Sequence, residues 1–318
     1  MSLFNQSRIA VLIPCLNEDQ TIESVVTSFK KVLPTAKIYV FDNGSDDDTA
    51  GVAAAAGATV ITVAKRGKGN VMREMFRRIF AEIYILVDGD DTYLAEDAPQ
   101  MVHLLVEDQL DMVVGDRLSN NIYDDQNKRR FHSFGNQLVL RLINLLYKAD
   151  CRDILSGYRV FSRRFVETCP ILSDGFEVET EITIHARDKN LPTREIPIQY
   201  RDRPVGSVSK LSTIKDGMRI LKTIAILFKN YKPLQFFTSV SLFFFVLGLA
   251  CGAYPIAEYF STGFVTRFPL AFLAASIELL AALMFCCGLI LDTFARTARE
   301  NYELRLLSFN RQSQTDEL

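Results

Sequence analysis

The chain has 318 residues, 48% of them hydrophobic, and its 36 Lys and Arg against 38 Asp and Glu leave a formal charge of −2. That size and apolarity suffice for one large core or two modest ones and exclude a disordered polypeptide. The near-balance of charge gives no global field toward nucleic acid, so local clusters must carry any argument about partners.

The polar stretch Met1–Arg8 runs into a short apolar segment ending at Pro14 and lacks the apolar region of a signal peptide, so the N-terminal part is expected to stay in the cytoplasm. In chain order, Ile9–Ile13, Ile38–Phe41, Thr59–Val63, Ile83–Val87 and Met112–Val114 are β-branched runs that read as buried strands. Thr21–Leu33, Thr49–Ala56, Gly69–Phe80 and Ala98–Glu107, which lie between them, have helical spacing. Strands alternating with helices imply an α/β domain with a mainly parallel sheet. Glu177, Glu179 and Glu181 alternate as a further strand would.

From Ser209 to Lys229, apolar residues recur every three or four positions among Lys210, Lys215, Arg219, Lys222 and Lys229, which predicts basic amphipathic helices suited to a lipid headgroup layer. Two apolar stretches follow, Phe236–Ala257 and Pro269–Leu291, each matching the roughly 20 residues that cross a hydrocarbon core. Lys229 and Lys232 precede the pair, Arg296, Arg299 and Arg305 follow it, and the connecting loop holds Arg267. The positive-inside rule then predicts an integral, multi-pass membrane protein whose hairpin has both ends cytoplasmic. The expected division is a catalytic domain over 1–208, interfacial helices over 209–232, the hairpin over 233–295 and a cytoplasmic tail over 296–318. Glu278, the one charge in the second stretch, is expected to face another helix in a homo-oligomer, partnering a hydroxyl such as Ser239 or Ser241 or a backbone carbonyl.

The strongest chemical signal is Asp88-Gly89-Asp90-Asp91 at the end of a hydrophobic strand, where ligands of open α/β sheets bind. Asp88 and Asp90 are candidate ligands for a hard cation, Mg²⁺ or Mn²⁺, that would neutralise a diphosphate. Asn17-Glu18 and Asp42-Asn43-Gly44-Ser45 end two other strands, and Arg66-Gly67-Lys68-Gly69-Asn70 offers a pliable backbone with cations at a helix start, suited to phosphate or sugar. Cys15, Cys151, Cys169, Cys251, Cys286 and Cys287 form no CxxC pair and read as packing residues of a reducing compartment. His103, His132 and His185 share no metal-ligand spacing and are assigned to surfaces or packing.

Taken together and in order, Ile13-Pro14-Cys15-Leu16-Asn17-Glu18, Asp42 to Thr49, Gly67-Lys68-Gly69, Asp88-Gly89-Asp90, Gly115-Asp116-Arg117 and Asp153 to Arg159 resemble inverting glycosyltransferases of family 2 with the GT-A fold. The resemblance implies that Pro14, Asn17, Glu18, Asp42, Gly67, Lys68 and Asp88 line a nucleotide-sugar pocket, with a UDP- or GDP-linked donor, and that Asp88 and Asp90 face the metal. It also implies an acidic residue near Glu177, Glu179 and Glu181, close to the sugar or in structural contact. The stretch Tyr200 to Leu211 resembles dolichyl-phosphate mannose synthases and bacterial polyprenyl-phosphate glycosyltransferases, which implies a polyprenyl phosphate acceptor and a membrane lipid environment. Thr92 departs from that group, in which Gln often follows the second metal aspartate by two positions, and this puts a third protein ligand in question.

A phosphate monoester is largely ionised near neutrality, so a lipid phosphate needs charge management more than a strong base to attack an anomeric carbon. Arg117, Arg203 and Lys210 are the candidates to hold it, with Arg129 and Arg130 behind them. Two alternatives stay open: a transferase with a different membrane acceptor, and a non-catalytic assembly or lipid-flipping component. A processive synthase is disfavoured, because its Gln-x-x-Arg-Trp motif needs a Trp and the chain has none.

Overall fold

The computed structural model describes residues 8–118, 140, 141, 144, 151–201, 222, 224–226 and 228–316. The chain divides into two compact units, Met1–Ile224 and Ala225–Leu318.

In the first unit, strands β1 (Ile9–Cys15), β2 (Lys37–Asp42), β3 (Thr59–Thr62) and β4 (Ile83–Leu86) alternate with helices α1 (Ile22–Val32), α2 (Thr49–Ala55) and α3 (Lys68–Arg78). A 3-10 turn (Ala95–Asp97), helix α4 (Ala98–Glu107), β5 (Met112–Asp116), β6 (Arg159–Ser162), α5 (Arg163–Thr168), α6 (Val178–Asp188) and β7 (Thr193–Pro197) follow. The seven strands form one sheet in the order β3-β2-β1-β4-β6-β5-β7. Strand β6 alone runs antiparallel, to both β4 and β5. The sheet is therefore mixed but mainly parallel, as expected.

Side chains alternate across β1 in the period-2 manner of a strand with both faces covered. Ile9, Val11 and Ile13 pack with Val25, Val26 and Phe29 of α1 and Met101, Val102 and Leu105 of α4. Ala10 and Leu12 pack on the other face with Val71, Met72 and Met75 of α3 and with Phe165 and Ile182. Two apolar layers thus clamp the centre of the sheet, and polar residues follow at the carboxyl ends of β1, β2 and β4.

Glu179 and Glu181, and the residue that caps them, Glu177, do not form a strand: they open helix α6. The alternation misled because this helix is buried almost all round, with every residue from Val178 to Ala186 enclosed, so it carries no solvent stripe to set its period. Glu181 accepts hydrogen bonds from the Leu172 and Ser173 amides at 3.0 and 2.9 Å.

In the second unit, α7 (Pro233–Thr262) and α8 (Phe268–Asp316) form an antiparallel hairpin, and both are long and apolar enough to cross a membrane. A Gly263 residue with φ of +73° closes α7 by donating to the Tyr259 carbonyl at 2.8 Å. Glu278 points at Gly248 of its own hairpin, where a Cβ would stand 2.6 Å from its Oε1. That oxygen is enclosed and has no hydrogen-bond partner among the described residues. The hydroxyls expected to receive it are spent on backbone carbonyls, Ser241 on Ala281 at 2.8 Å and Ser239 on Gln235 at 2.9 Å. Close helix approach at a small residue, not a hydroxyl, is what accommodates this carboxyl.

Candidate active site

Because β1 sits between β2 and β4, the chain moves from β1 toward β2 on one flank and from β4 toward the other flank, which makes the carboxyl edge between β1 and β4 the switch point where the crevice of such a sheet lies. The antiparallel β6 brings its preceding segment, 153–158, to the same edge. Asn17, Glu18, Asp42, Asp88, Asp90 and Arg117 consequently converge although 100 residues of sequence separate the first from the last.

The β1 and β2 ends are knitted together. Asn17, at φ of 52°, receives the Asp46 amide on its Oδ1 at 2.8 Å and donates its own amide to Ser45 Oγ at 2.9 Å. The Glu18 amide donates to Thr49 Oγ1 at 2.8 Å, and the Glu18 carbonyl accepts the first amides of the turn that opens α1. Asp42 is buried and accepts from the Ser45 amide and hydroxyl, which fixes the bend after β2. Pro14 is half-buried in β1.

Asn43, a residue the sequence did not single out, joins this edge to the glycine-rich segment. Its Nδ2 donates to the Val63 and Lys65 carbonyls at 3.1 and 2.9 Å, and its Oδ1 accepts the Gly67 amide at 2.6 Å. Gly67 has φ of +123°, and a Cβ there would lie 2.1 Å from the Asp174 carbonyl oxygen, so glycine is required on both counts. Two amides of the segment read as suited to phosphate or sugar are taken by protein carbonyls: the Gly69 amide bonds Asp174 and Gly175 at 3.1 Å each, and the Asn70 amide bonds Asp174 at 3.4 Å. Arg73 straps the same loop through the Ile171, Leu172 and Ser173 carbonyls. The Gly69 and Asn70 amides at the helix start are therefore spent on protein carbonyls, and one of the segment's two cations stands beside Asp88.

That cation is Lys68. Its Nζ lies 2.6 Å from Asp88 Oδ1 and 2.6 Å from Glu179 Oε1. Burial opposes its charge, but the two carboxylates overcome the penalty and hold the ammonium's pKa above its ordinary value. Glu179 is 4% exposed, and its Oε2 has no partner among the described residues. The Phe176 ring stands 6.0 Å from the ammonium.

Asp88 is partly open, whereas Asp90 is 4% exposed. The Thr92 hydroxyl donates to Asp90 Oδ1 at 2.6 Å, so the residue standing in place of Gln orients the second aspartate. Asp88 and Asp90 supply hard oxygen donors at an edge with a surplus of negative charge, which fits a divalent cation. Among the described residues no three His, Cys, Asp or Glu side chains converge at ligand distance. A cation held by one or two carboxylates, with the remaining positions left to phosphate oxygens and water, matches the ordinary habit of Mg²⁺.

Arg117 does not present a bare guanidinium. Its Nε and Nη2 donate to the two carboxylate oxygens of fully buried Asp153 at 2.7 and 2.8 Å, and its planar group lies 5.6 Å from the Tyr200 ring. The arginine expected to hold the acceptor phosphate is thus paired with Asp153 and ties the 153–158 segment to the end of β5. That segment has a second anchor in Arg159, which has no exposed surface and donates to the Ser156 and Ile154 carbonyls at 2.9 and 2.6 Å and to Thr183 Oγ1 at 3.0 Å. Gly157 of the segment abuts the metal candidate, since a Cβ on it would fall 2.3 Å from Asp88 Oδ2. Arg129, Arg130, His132, Arg203 and Lys210 lie outside the described residues.

The glycosyl transferase family 2 model matches residues 10–169. Glycosyltransferase AglJ of Haloferax volcanii is 34% identical over 79% of this chain and 82% of its own length. A dolichyl-phosphate hexose transferase of the same organism is 27% identical over 70% of this chain and 95% of its own. Among solved structures, glucosyl-3-phosphoglycerate synthase from Mycobacterium tuberculosis, in complex with Mn²⁺, uridine diphosphate and glucosyl-3-phosphoglycerate, aligns with a TM-score of 0.54 at 25% identity, covering 70% of this chain and 78% of that one. With the crevice at the switch point and its strand-end aspartates in view, the fold is GT-A, and the chain belongs to glycosyl transferase family 2.

Proposed function

We propose that this chain transfers a hexose-type sugar from a nucleotide diphosphate sugar to a polyprenyl phosphate at the cytoplasmic face of a membrane, with inversion at the anomeric carbon. The observation that carries the reading is the convergence of Asp88 and Asp90 with the β1 and β2 ends on a chain that continues into two apolar helices of membrane length. A relative that acts on dolichyl phosphate supports the acceptor, and a structural neighbour crystallised with Mn²⁺ and uridine diphosphate supports the donor and the metal.

The chain's own residues divide the work by charge. The Asn17, Glu18 and Asp42 loops, with Pro14, Gly67 and Lys68, form the donor side. Asp88 and Asp90 would hold Mg²⁺ or Mn²⁺, which supplies neutralisation of the departing diphosphate. Arg117 and Asp153 keep the 153–158 segment beside Asp88, and the acceptor phosphate falls to Arg203, just before the basic stretch in sequence, and Lys210, at its start. Single displacement by the acceptor oxygen would invert the sugar. The division into catalytic domain 1–208, interfacial helices 209–232, hairpin 233–295 and tail 296–318 belongs to the same proposal. So does the homo-oligomer, tested by particle mass in mild detergent.

The test is a screen of UDP- and GDP-sugars against undecaprenyl and dolichyl phosphates with the full chain in detergent. Lipid-linked sugar formed with a polyprenyl phosphate bears the reading out. Transfer only to a glycolipid or protein acceptor replaces it with the second reading, and no turnover with any donor overturns both.

A further inference from the structure

The charges at the crevice do not balance around one feature, Lys68. Its single ammonium is shared by Asp88 and Glu179 at 2.6 Å each, and it is almost wholly enclosed. Glu179 shows its other oxygen to the interior without a partner among the described residues, which is costly unless positive charge is nearby. Asp88 is the least enclosed member of the trio, and its Oδ2 lies where a Cβ on Gly157 would stand 2.3 Å away, while Oδ1 is engaged by the ammonium. One of the two candidate metal ligands is thus occupied by a cation the chain itself supplies.

We propose that Lys68 is the resident counter-ion of the cation site, that a divalent metal must displace it from Asp88 to bind, and that Glu179 is the positioning residue that retains it afterwards. The inference rests on the placement of the metal at Asp88 and Asp90. A divalent cation and an ammonium compete for the same carboxylate, so Lys68 sets a threshold that weakens metal binding in the absence of donor. A nucleotide diphosphate lowers that threshold by offering the released ammonium a new anionic partner, so metal and donor bind cooperatively. Glu179, enclosed and anionic, keeps the lysine poised at the crevice instead of letting it leave.

The roles make opposite demands on two variants, which a merely structural role would not. Mn²⁺ binding to the full chain in detergent, measured calorimetrically and by electron paramagnetic resonance without donor, should tighten about tenfold or more in Lys68→Met, because a cation beside the ligand is lost. In Glu179→Gln it should weaken about tenfold, because the ammonium then pairs with Asp88 alone. Lys68→Arg keeps the charge and should stay near the wild type. Uridine diphosphate should tighten Mn²⁺ binding to the wild type more than to Lys68→Met. Weaker or unchanged binding in Lys68→Met, or a shift in the same direction for both variants, overturns the exchange. Should Lys68→Met fail to fold, Glu179→Gln decides alone: unchanged or tighter binding refutes the proposal. Asp90→Ala separates the two layers of the argument, since full Mn²⁺ affinity in that variant refutes the metal placement itself.

Discussion

Gly157→Ala separates the catalytic edge from the fold. The added Cβ would stand 2.3 Å from Asp88 Oδ2, about 1 Å inside an ordinary carbon–oxygen contact. The atom it meets is the end of a side chain, so the cheap relief is rotation of Asp88 and not movement of β6. Overpacking of this kind costs about 1–3 kcal/mol of stability, toward the low end when a side-chain tip can yield. Function should suffer more, because displacing a reacting or metal-holding group by about 1 Å costs on the order of a hundredfold in rate. The assay is sugar transfer with donor and acceptor varied separately, beside a thermal melt of the same preparation. We expect a fall in kcat near a hundredfold with a small change in Tm. Activity within threefold of wild type would refute the claim that this backbone sets the position of Asp88.

Arg203→Ala and Lys210→Ala should raise KM for the lipid phosphate more than for the nucleotide sugar, and an effect confined to the donor would move both to the diphosphate side. Glu278→Leu should leave particle mass and turnover per subunit unchanged, since the carboxyl faces Gly248 of its own hairpin; a drop in mass would show that it joins subunits. His185, enclosed behind Phe165, has its pKa pushed down from 6.5 to about 4 by burial and by Lys189. Its unfolded form binds a proton that the folded form refuses, so stability should be full above pH 6.5 and fall by up to about 3 kcal/mol as pH drops toward 4. His185→Phe should flatten that decline, and an unchanged profile would place the acid sensitivity elsewhere.

What could be read before the fold was known follows from how burial writes itself into sequence. β1, β2 and β4 are covered on both faces, so they stand as unbroken apolar runs, and their polar ends announce the catalytic edge. The helices α7 and α8 were legible for a different reason, since each carries an apolar run of membrane length although little of it is buried within the protein. β6 was not, because Arg159 sits inside it: a fully buried arginine that satisfies loop carbonyls looks like a surface residue in one dimension. Glu179 and Glu181 concealed α6, since their partners, Lys68 and the 172–173 amides, lie far along the chain or across a loop. The glycine-rich segment read as a pliable backbone, and the sequence could not show that the 173–175 backbone packs against it. Arg117 pointed to an anion, and the anion is Asp153.

The most direct test of the account follows labelled sugar from its nucleotide into undecaprenyl or dolichyl phosphate, using the purified full chain with Mn²⁺ and its Asp90→Ala variant side by side. The account predicts that label enters the organic phase as a lipid-linked sugar monophosphate with the wild type, that excess chelator stops it, and that Asp90→Ala, though folded, forms none. Wild-type transfer that persists in chelator, or Asp90→Ala turning over at the wild-type rate, would contradict it.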